Sequence, residues 1–166
     1  VPVVTSEVFA KSEATTGFMI GSITCGFMLG SFLSGKFALN NELDKMILVG
    51  RGVAVVGLFF CLLLLLAGLS HLAILIAGAM SVGIGNGLST PSASASVMFV
   101  NREVSASASG LSGAIIVVMG AVATLLTGML VDHNPTEKML IAIMFAFALA
   151  SLILAILVAF QKKNKL

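Results

Sequence analysis

The sequence predicts an all-α membrane protein with five transmembrane helices, and three observations lead to that fold class. Of its 166 residues 58% are apolar and only 10% are charged, whereas a soluble domain has about a quarter of its residues charged. The apolar residues form five long runs, each near the roughly 20 residues that cross a membrane as a helix. Strands of a membrane barrel would show much shorter alternating segments, so helices are the predicted elements. These observations exclude a soluble enzyme, and a net charge of +2 is too small to indicate a nucleic-acid partner.

The predicted elements follow one another between charged or turn-forming residues. Residues 1–16 carry charges and no sustained apolar run, which predicts an external loop and the end of a preceding helix. Residues 161–166 form a short cytoplasmic tail, and 1–166 is treated as a single transmembrane domain. The five predicted spans between these ends cover about 17–38, 52–69, 72–100, 104–131 and 139–160.

Basic residues predict the orientation of the chain. Lys36, Lys45, Arg51 and Arg102 lie on the same side of the predicted membrane as the lysines of the tail. Because Lys and Arg are retained in cytoplasmic loops, we expect a multi-pass protein of the inner (plasma) membrane with a cytoplasmic C-terminus. An external start without a signal-peptide pattern or an initiating Met leads us to expect that helices preceding Val1 are missing.

Small residues at four-residue intervals predict which helices pack closely. Such spacing lets two helix backbones approach in a membrane. It favours spans one, three and four as the interior, with the bulkier spans two and five facing lipid. Small residues are also simply frequent in membrane helices, which is the plainer interpretation. The predicted helix-packing residues are Gly26, Gly30, Gly83, Gly87, Gly113, Gly120 and Gly128.

Polar and reactive residues inside the spans are few. The third span carries several glycines and hydroxyls around Pro91, which indicates either a flexible gating segment or a Pro-kinked structural helix. No Asp, Glu, Lys or His lies deep within a span, and Lys36 and Arg51 are placed near cytoplasmic ends where they can snorkel. Cys25 and Cys61 lie in apolar runs, so neither a disulfide nor a metal site is predicted. The sequence predicts no catalytic residue, no metal and no cofactor.

Short motifs resemble the C-terminal half of a major facilitator superfamily transporter, in the Bcr/CflA branch of bicyclomycin and chloramphenicol exporters. The resemblance covers nearly the whole chain. Its motifs appear here as Pro2, Glu7, Phe9, Ser12 and Gly17; as Leu29, Gly30 and Ser31; as Gly35 and Lys36; as Pro91, Ser92 and Ala93; and as Ser107, Ala108, Ser109, Leu111 and Gly113.

This resemblance implies that the spans correspond to helices eight to twelve of a twelve-helix carrier. It implies proton-coupled efflux of drug-like small molecules, with membrane lipid and the missing N-terminal half of the transporter as partners. Helices eight, ten and eleven of such a carrier line its central cavity. The substrate-cavity candidates are Cys25, Met28, Asn86, Thr90, Ser112 and Met119.

Two other interpretations remain open from the sequence. The chain is alternatively a truncated transporter fragment without activity, because half a cavity cannot alternate between the two sides. As a third possibility, it is a small membrane scaffold that self-associates through its glycine faces.

Overall fold

The computed structural model describes residues 13–37, 43–69, 71–100, 105–131 and 137–163. These residues form helices with short turns, and no strand occurs among them. All five described helices are long and apolar enough to cross a membrane, which confirms the all-α membrane class. The helices are α1 (Glu13–Phe37), α2 (Leu43–Leu66), α3 (Leu72–Val100), α4 (Ser105–Val131) and α5 (Glu137–Lys163).

Most of the predicted terminal residues, and one basic residue of a predicted connector, lie outside the described ranges. Of the predicted external loop 1–16, residues 1–12 lie outside the described ranges, and residue 13 already begins α1. Arg102 and residues 164–166 of the predicted tail are likewise outside those ranges.

The second helix begins well before its predicted start. It extends from Leu43, whereas the sequence analysis placed Lys45 and Arg51 in a connector and began the span at Gly52. Charge alone does not end a helix, because Lys and Arg have good helix propensity. Asp44 in the first turn also suits the positive end of the helix dipole. Arg51 therefore lies inside a membrane-crossing helix rather than at its edge.

Helix α3 is the centre of the bundle. It packs along its length against α1 on one side and α2 on the other, while α5 covers α2 and α4 has only marginal contacts with α3 and α5. Contacts between α1 and α3 advance together along both chains, from Gly26 against Met80 to Ser34 against Ser92, so these helices are parallel. Contacts between α2 and α3 run in opposite order, so that pair is antiparallel.

An apolar core holds α2, α3 and α5 together at the end of the bundle where α2 meets α3. Leu58 and Leu65 of α2 have no exposed surface, and they pack in one cluster with Leu75 of α3 and Ile141 of α5. The Phe59 and Phe145 rings lie 5.9 Å apart between their centroids and extend this contact. Core packing thus reaches α5, which the sequence assigned to the lipid-facing outside.

A tight turn joins α2 to α3. Gly68 has a φ of 88°, a conformation that L side chains rarely adopt. The amide of Leu69 donates to the Leu64 carbonyl at 3.1 Å, and the Gly68 amide donates to the Leu65 carbonyl at 3.2 Å. This pair of hydrogen bonds is a Schellman motif, which ends α2 while satisfying its last carbonyls.

The predicted division into inner and outer helices needs correction. Helix α2 is not simply an outer helix, because Met46, Gly50 and Ala54 are buried as well as its core leucines. Helix α4, predicted to be interior, has no buried residue in its membrane span. The physical reason is that α3 carries small residues on two faces, so it accepts α2 as closely as it accepts α1.

Candidate functional site

The interface between α1 and α3 is built from glycines. A Cβ atom on Gly26 would lie 2.5 Å from the Met80 carbonyl oxygen, closer than real Cβ atoms approach. Added Cβ atoms on the other three would also overlap a carbonyl oxygen of the facing helix. The structure therefore places four of the predicted helix-packing residues at this backbone contact: Gly26, Gly30, Gly83 and Gly87.

A second close contact joins α2 to α3 and was not singled out from the sequence. A Cβ on Gly50 would lie 2.6 Å from the Gly85 carbonyl oxygen, and one on Gly85 would lie 2.5 Å from that of Gly50. Gly78 lies against the Cys61 side chain in the same interface. Helix α3 is thus in close contact on both flanks, which fixes its position between α1 and α2.

Hydroxyl groups line the α1–α3 contact beyond the glycines. The Ser34 and Ser92 oxygens lie 3.1 Å apart, and both residues are buried. Ser89 donates to the Gly85 carbonyl at 2.9 Å within α3. Ser31 carries the single fully buried side-chain oxygen or nitrogen without a hydrogen-bond partner among the residues described. The hydrogen bonds of these small hydroxyls are thus made largely within the helices, as expected in a membrane.

Helix α3 continues through Pro91. The segment Leu72–Val100 is one helix, and the proline stands inside it. Proline has no amide hydrogen, so it leaves a carbonyl one turn earlier, that of Gly87, without its usual helical partner. The two interpretations of this segment, gating and a Pro-containing structural helix, both remain consistent with a continuous helix.

One strongly polar contact crosses the α2–α3 interface. Arg51 Nη1 of α2 donates a hydrogen bond of 3.0 Å to Asn86 Oδ1 of α3. Both side chains are half-buried, and both lie within the membrane-crossing parts of their helices. The close approach at Gly50 and Gly85, each next to one of the two residues, brings them within reach. Asn86 is one of the residues predicted from the sequence, whereas Arg51 is not, because it falls in a predicted connector.

The substrate-cavity candidates are distributed over three helices. Asn86 and the exposed Thr90 share one face of α3, because four residues make about one helical turn. Cys25 is exposed, and Met28 is 67% exposed on a part of α1 whose packed face carries Gly26 and Gly30.

The remaining two candidates lie on α4. Ser112 is half-buried and Met119 is 62% exposed. The structure therefore places Asn86 and Thr90 on one face of α3, and Arg51 of α2 is hydrogen-bonded to Asn86.

The three predicted packing glycines of α4 have no neighbour in the described chain. Nothing lies within 4 Å of the Cβ position at Gly113, Gly120 or Gly128. The exposed apolar residues of this helix include Ile115, Val117 and Leu125. The close packing that these glycines predict is thus not made by any other described helix of the chain.

Comparison with known proteins identifies one family. A family model described as PUCC protein matches residues 5–164, which span all five helices. No curated protein and no solved structure matches the chain. The match contradicts the predicted Bcr/CflA resemblance and the multidrug-efflux assignment that came with it.

The structure shows why those motifs misled. Most of their residues are glycine, serine or alanine, and one of these, Gly30, occupies a position where two helix backbones meet. Close helix packing selects such residues in membrane proteins of many kinds. Small residues at such spacings therefore do not by themselves identify one transporter branch.

Proposed function

Because the chain belongs to the PUCC protein family, we propose that it is a non-enzymatic membrane component that assists the assembly or pigment supply of photosynthetic complexes. The family is related to bacteriochlorophyll and photosynthetic complexes. The observation that carries this proposal is the extent of the match, which includes every helix of the bundle.

The physical character of the bundle supports a binding role. Pigment-protein complexes of this class lie in membranes, and five membrane-crossing helices place the chain in the same apolar medium. The α1–α2–α3 unit is held by backbone contacts at glycines, whereas α4 leaves its apolar surface uncovered. A rigid unit beside an open helix is suited to holding another membrane-embedded component.

We propose further that the open face of α4 receives a transmembrane helix from outside the described chain. Gly113, Gly120 and Thr124 lie on one face of this helix, where small residues permit close approach.

Disulfide crosslinking in native membranes tests the contact on α4. The test uses Gly120→Cys, with Val122→Cys as the matched control on the opposite face, after Cys25→Ser and Cys61→Ser remove the native thiols. We expect crosslinks to a distinct polypeptide or segment from position 120 only. Crosslinks to a second copy of the chain would favour the self-associating scaffold instead, and equal crosslinking at both positions would contradict a specific face.

Orientation is also proposed rather than observed. The basic residues Lys36 and Lys45 favour a cytoplasmic position for the end of α1 and the start of α2, and hence a cytoplasmic C-terminus in the inner (plasma) membrane. A reporter active only in the cytoplasm, fused after Leu166, should be active. A periplasmic reporter active at the same position would reverse the proposed orientation.

The proposed function is tested in a photosynthetic host that encodes the chain. Deleting its gene should reduce the bacteriochlorophyll absorption of the membranes and the yield of purified pigment-protein complexes, and the wild-type gene should restore both. A Gly120→Leu gene should restore less than a Val122→Leu gene at equal protein level. Normal complexes in the deletion strain would contradict the proposal.

Transport of a small organic molecule is a second candidate, favoured by one observation. Arg51 is an ionisable residue inside a membrane span, and such residues often line substrate pathways. Uptake of bacteriochlorophyll precursors into vesicles that contain the full-length protein would test it. Uptake independent of the protein would exclude this candidate for the compounds tested.

A further inference from the structure

We propose that Arg51 and Asn86 form a binding site for the anionic oxygen group, a carboxylate or a phosphate, of an amphiphilic molecule whose apolar body lies in the membrane. This site goes beyond the proposed function and does not depend on it.

The first step concerns the depth of Arg51. The helix Leu43–Leu66 has 24 residues, which corresponds to about 36 Å of length at 1.5 Å per residue. The hydrocarbon core is about 30 Å thick. Arg51 lies about 12 Å from the start of the helix, so a hydrocarbon core that lies wholly within α2 has the Arg51 backbone about 6–12 Å inside it. Its Nη1 atom donates to Asn86 rather than to a group at the helix end.

The second step concerns charge. Arginine stays protonated under all ordinary conditions, and an uncompensated charge at this depth is costly. The three Asp and Glu residues that the structure describes, Glu13, Asp44 and Glu137, all lie in the first turn of a helix. The acidic residue of α2, Asp44, lies about 10 Å before Arg51 along the helix axis. Among the described residues no carboxylate forms an ion pair with Arg51, so an anion from outside the chain would supply the missing charge.

The third step concerns the hydrogen-bonding groups that remain. A guanidinium has five N–H donors and no acceptor, and within the described chain Arg51 uses one of them. Asn86 accepts that bond through Oδ1, which leaves its Nδ2 amino group as a donor. Neither residue has a fully buried atom without a partner, so the unused donors keep accessible surface. The pair therefore presents donors, with a positive charge, to whatever approaches.

The fourth step concerns specificity. The planar guanidinium matches the two oxygens of a carboxylate or phosphate, which it binds with paired hydrogen bonds. The Thr90 hydroxyl lies one helical turn from Asn86 on the same exposed face of α3 and adds another group. Because the site lies at hydrocarbon depth, an anion reaches it from the bilayer only when it is attached to an apolar body.

The experiment uses full-length protein in detergent and two matched pairs of probes. Oleate is compared with monooleoylglycerol, and dioleoyl phosphatidic acid with dioleoylglycerol, by titration in native mass spectrometry. Within each pair the apolar body is the same and only the anionic group differs. Wild-type protein should bind both anionic members more tightly than their neutral partners.

Arg51→Gln should reduce the affinity for the anionic probes about tenfold, since a hydrogen bond to a charged group contributes on that scale. Arg51→Lys, which keeps the charge but loses the planar fork, should cause a smaller loss. Lys36→Gln is the control, because Lys36 is an exposed basic residue in the last turn of α1. It should leave the preference for anions unchanged.

The two probe pairs distinguish a phosphate headgroup from a carboxylate, and the variants distinguish anion binding from a purely structural role of Arg51. A loss confined to phosphatidic acid assigns the site to a lipid headgroup, a loss confined to oleate assigns it to a carboxylate, and a loss of both assigns it to their shared chemistry. If Arg51→Gln lowers thermal stability without changing the preference for anions, Arg51 only tethers α2 to α3 and the proposal is overturned. If the glutamine variant does not fold, Arg51→Lys decides: an unchanged preference for anions, or a loss no larger than that in Lys36→Gln, would overturn the proposal.

Discussion

The Ser34 and Ser92 hydroxyl oxygens lie 3.1 Å apart across the α1–α3 interface, and each residue is only 1% exposed. Ser92 Oγ is also 3.3 Å from the Leu88 carbonyl oxygen. One arrangement satisfies both contacts, in which Ser92 donates to Leu88 and accepts from Ser34. In this arrangement the hydrogen bond between the helices depends on the Ser34 hydroxyl.

Replacing Ser34 with Ala should remove this hydrogen bond and lower the free energy of unfolding by about 0.6 kcal/mol, a typical value between membrane helices. The control is Ser22→Ala, because Ser22 donates to the Met19 carbonyl within its own helix. Denaturation of the purified protein in detergent measures both. Equal losses in the two variants would show that the contact between the helices adds nothing.

Alanine substitutions should have different effects on stability at glycines that lie in a helix contact and at glycines that have open space around them. Gly30→Ala or Gly87→Ala places a methyl group against backbone atoms of the facing helix, so the helices must move apart, at a cost of about 1–3 kcal/mol. Gly120→Ala has open space around it and should be neutral or stabilising by up to about 1 kcal/mol, because alanine favours helix. Thermal unfolding of the purified chain checks the contrast. Destabilisation by Gly120→Ala in isolated protein would contradict it.

These glycines show what the sequence could predict about the fold. The apolar run lengths predicted five helices, because the width of the bilayer imposes a length on each of them. The four-residue spacing drew attention to Gly26 and Gly83, which lie at the α1–α3 contact. It could not show that α4 stays uncovered, because an identical spacing serves a partner inside or outside the chain. It also missed Gly50 and Gly85, which face each other across the contact between α2 and α3.

A double-mutant cycle should detect the bond between Arg51 and Asn86. Arg51→Gln and Asn86→Ala should each destabilise the protein, and together they should cost about 1–2 kcal/mol less than the sum of the single effects. Unfolding free energies of the four proteins give this coupling. The control cycle pairs Arg51→Gln with Gly120→Ala, whose effects should add. Additivity in both cycles would mean that the bond contributes no stability.

The two cysteines should react at very different rates. Cys25 is exposed, whereas Cys61 is buried and lies against Gly78 and the Ile74 carbonyl. A small maleimide added to the protein in detergent should modify Cys25 rapidly and Cys61 only after local or global unfolding, at least about 100-fold more slowly. Peptide mass spectrometry follows both sites. Rapid modification of Cys61 in folded protein would contradict the α2–α3 packing described here.

The Arg51–Asn86 pair marks the limit of sequence reasoning about the site. Asn86 was named as a candidate because it lies on the third predicted span, which the resemblance placed beside a substrate cavity. Arg51 was missed because a charged residue near other charges is typical of a connector, and only the start of α2 at Leu43 places it within the span. The family assignment failed for a related reason, since small-residue motifs are shared by closely packed membrane helices of different families.

The contacts at Gly83 and Gly85 have a consequence for motion. Helix α3 has a neighbouring backbone against it on both flanks, so any rotation about its own axis drives a side chain into one of them. Sliding of α3 along its axis is blocked in the same way, because its close contacts with α1 and with α2 alternate along the helix. Helices α1, α2 and α3 are therefore packed as one unit, whereas α4, whose membrane span has no buried residue, has few contacts to break if it moves against them.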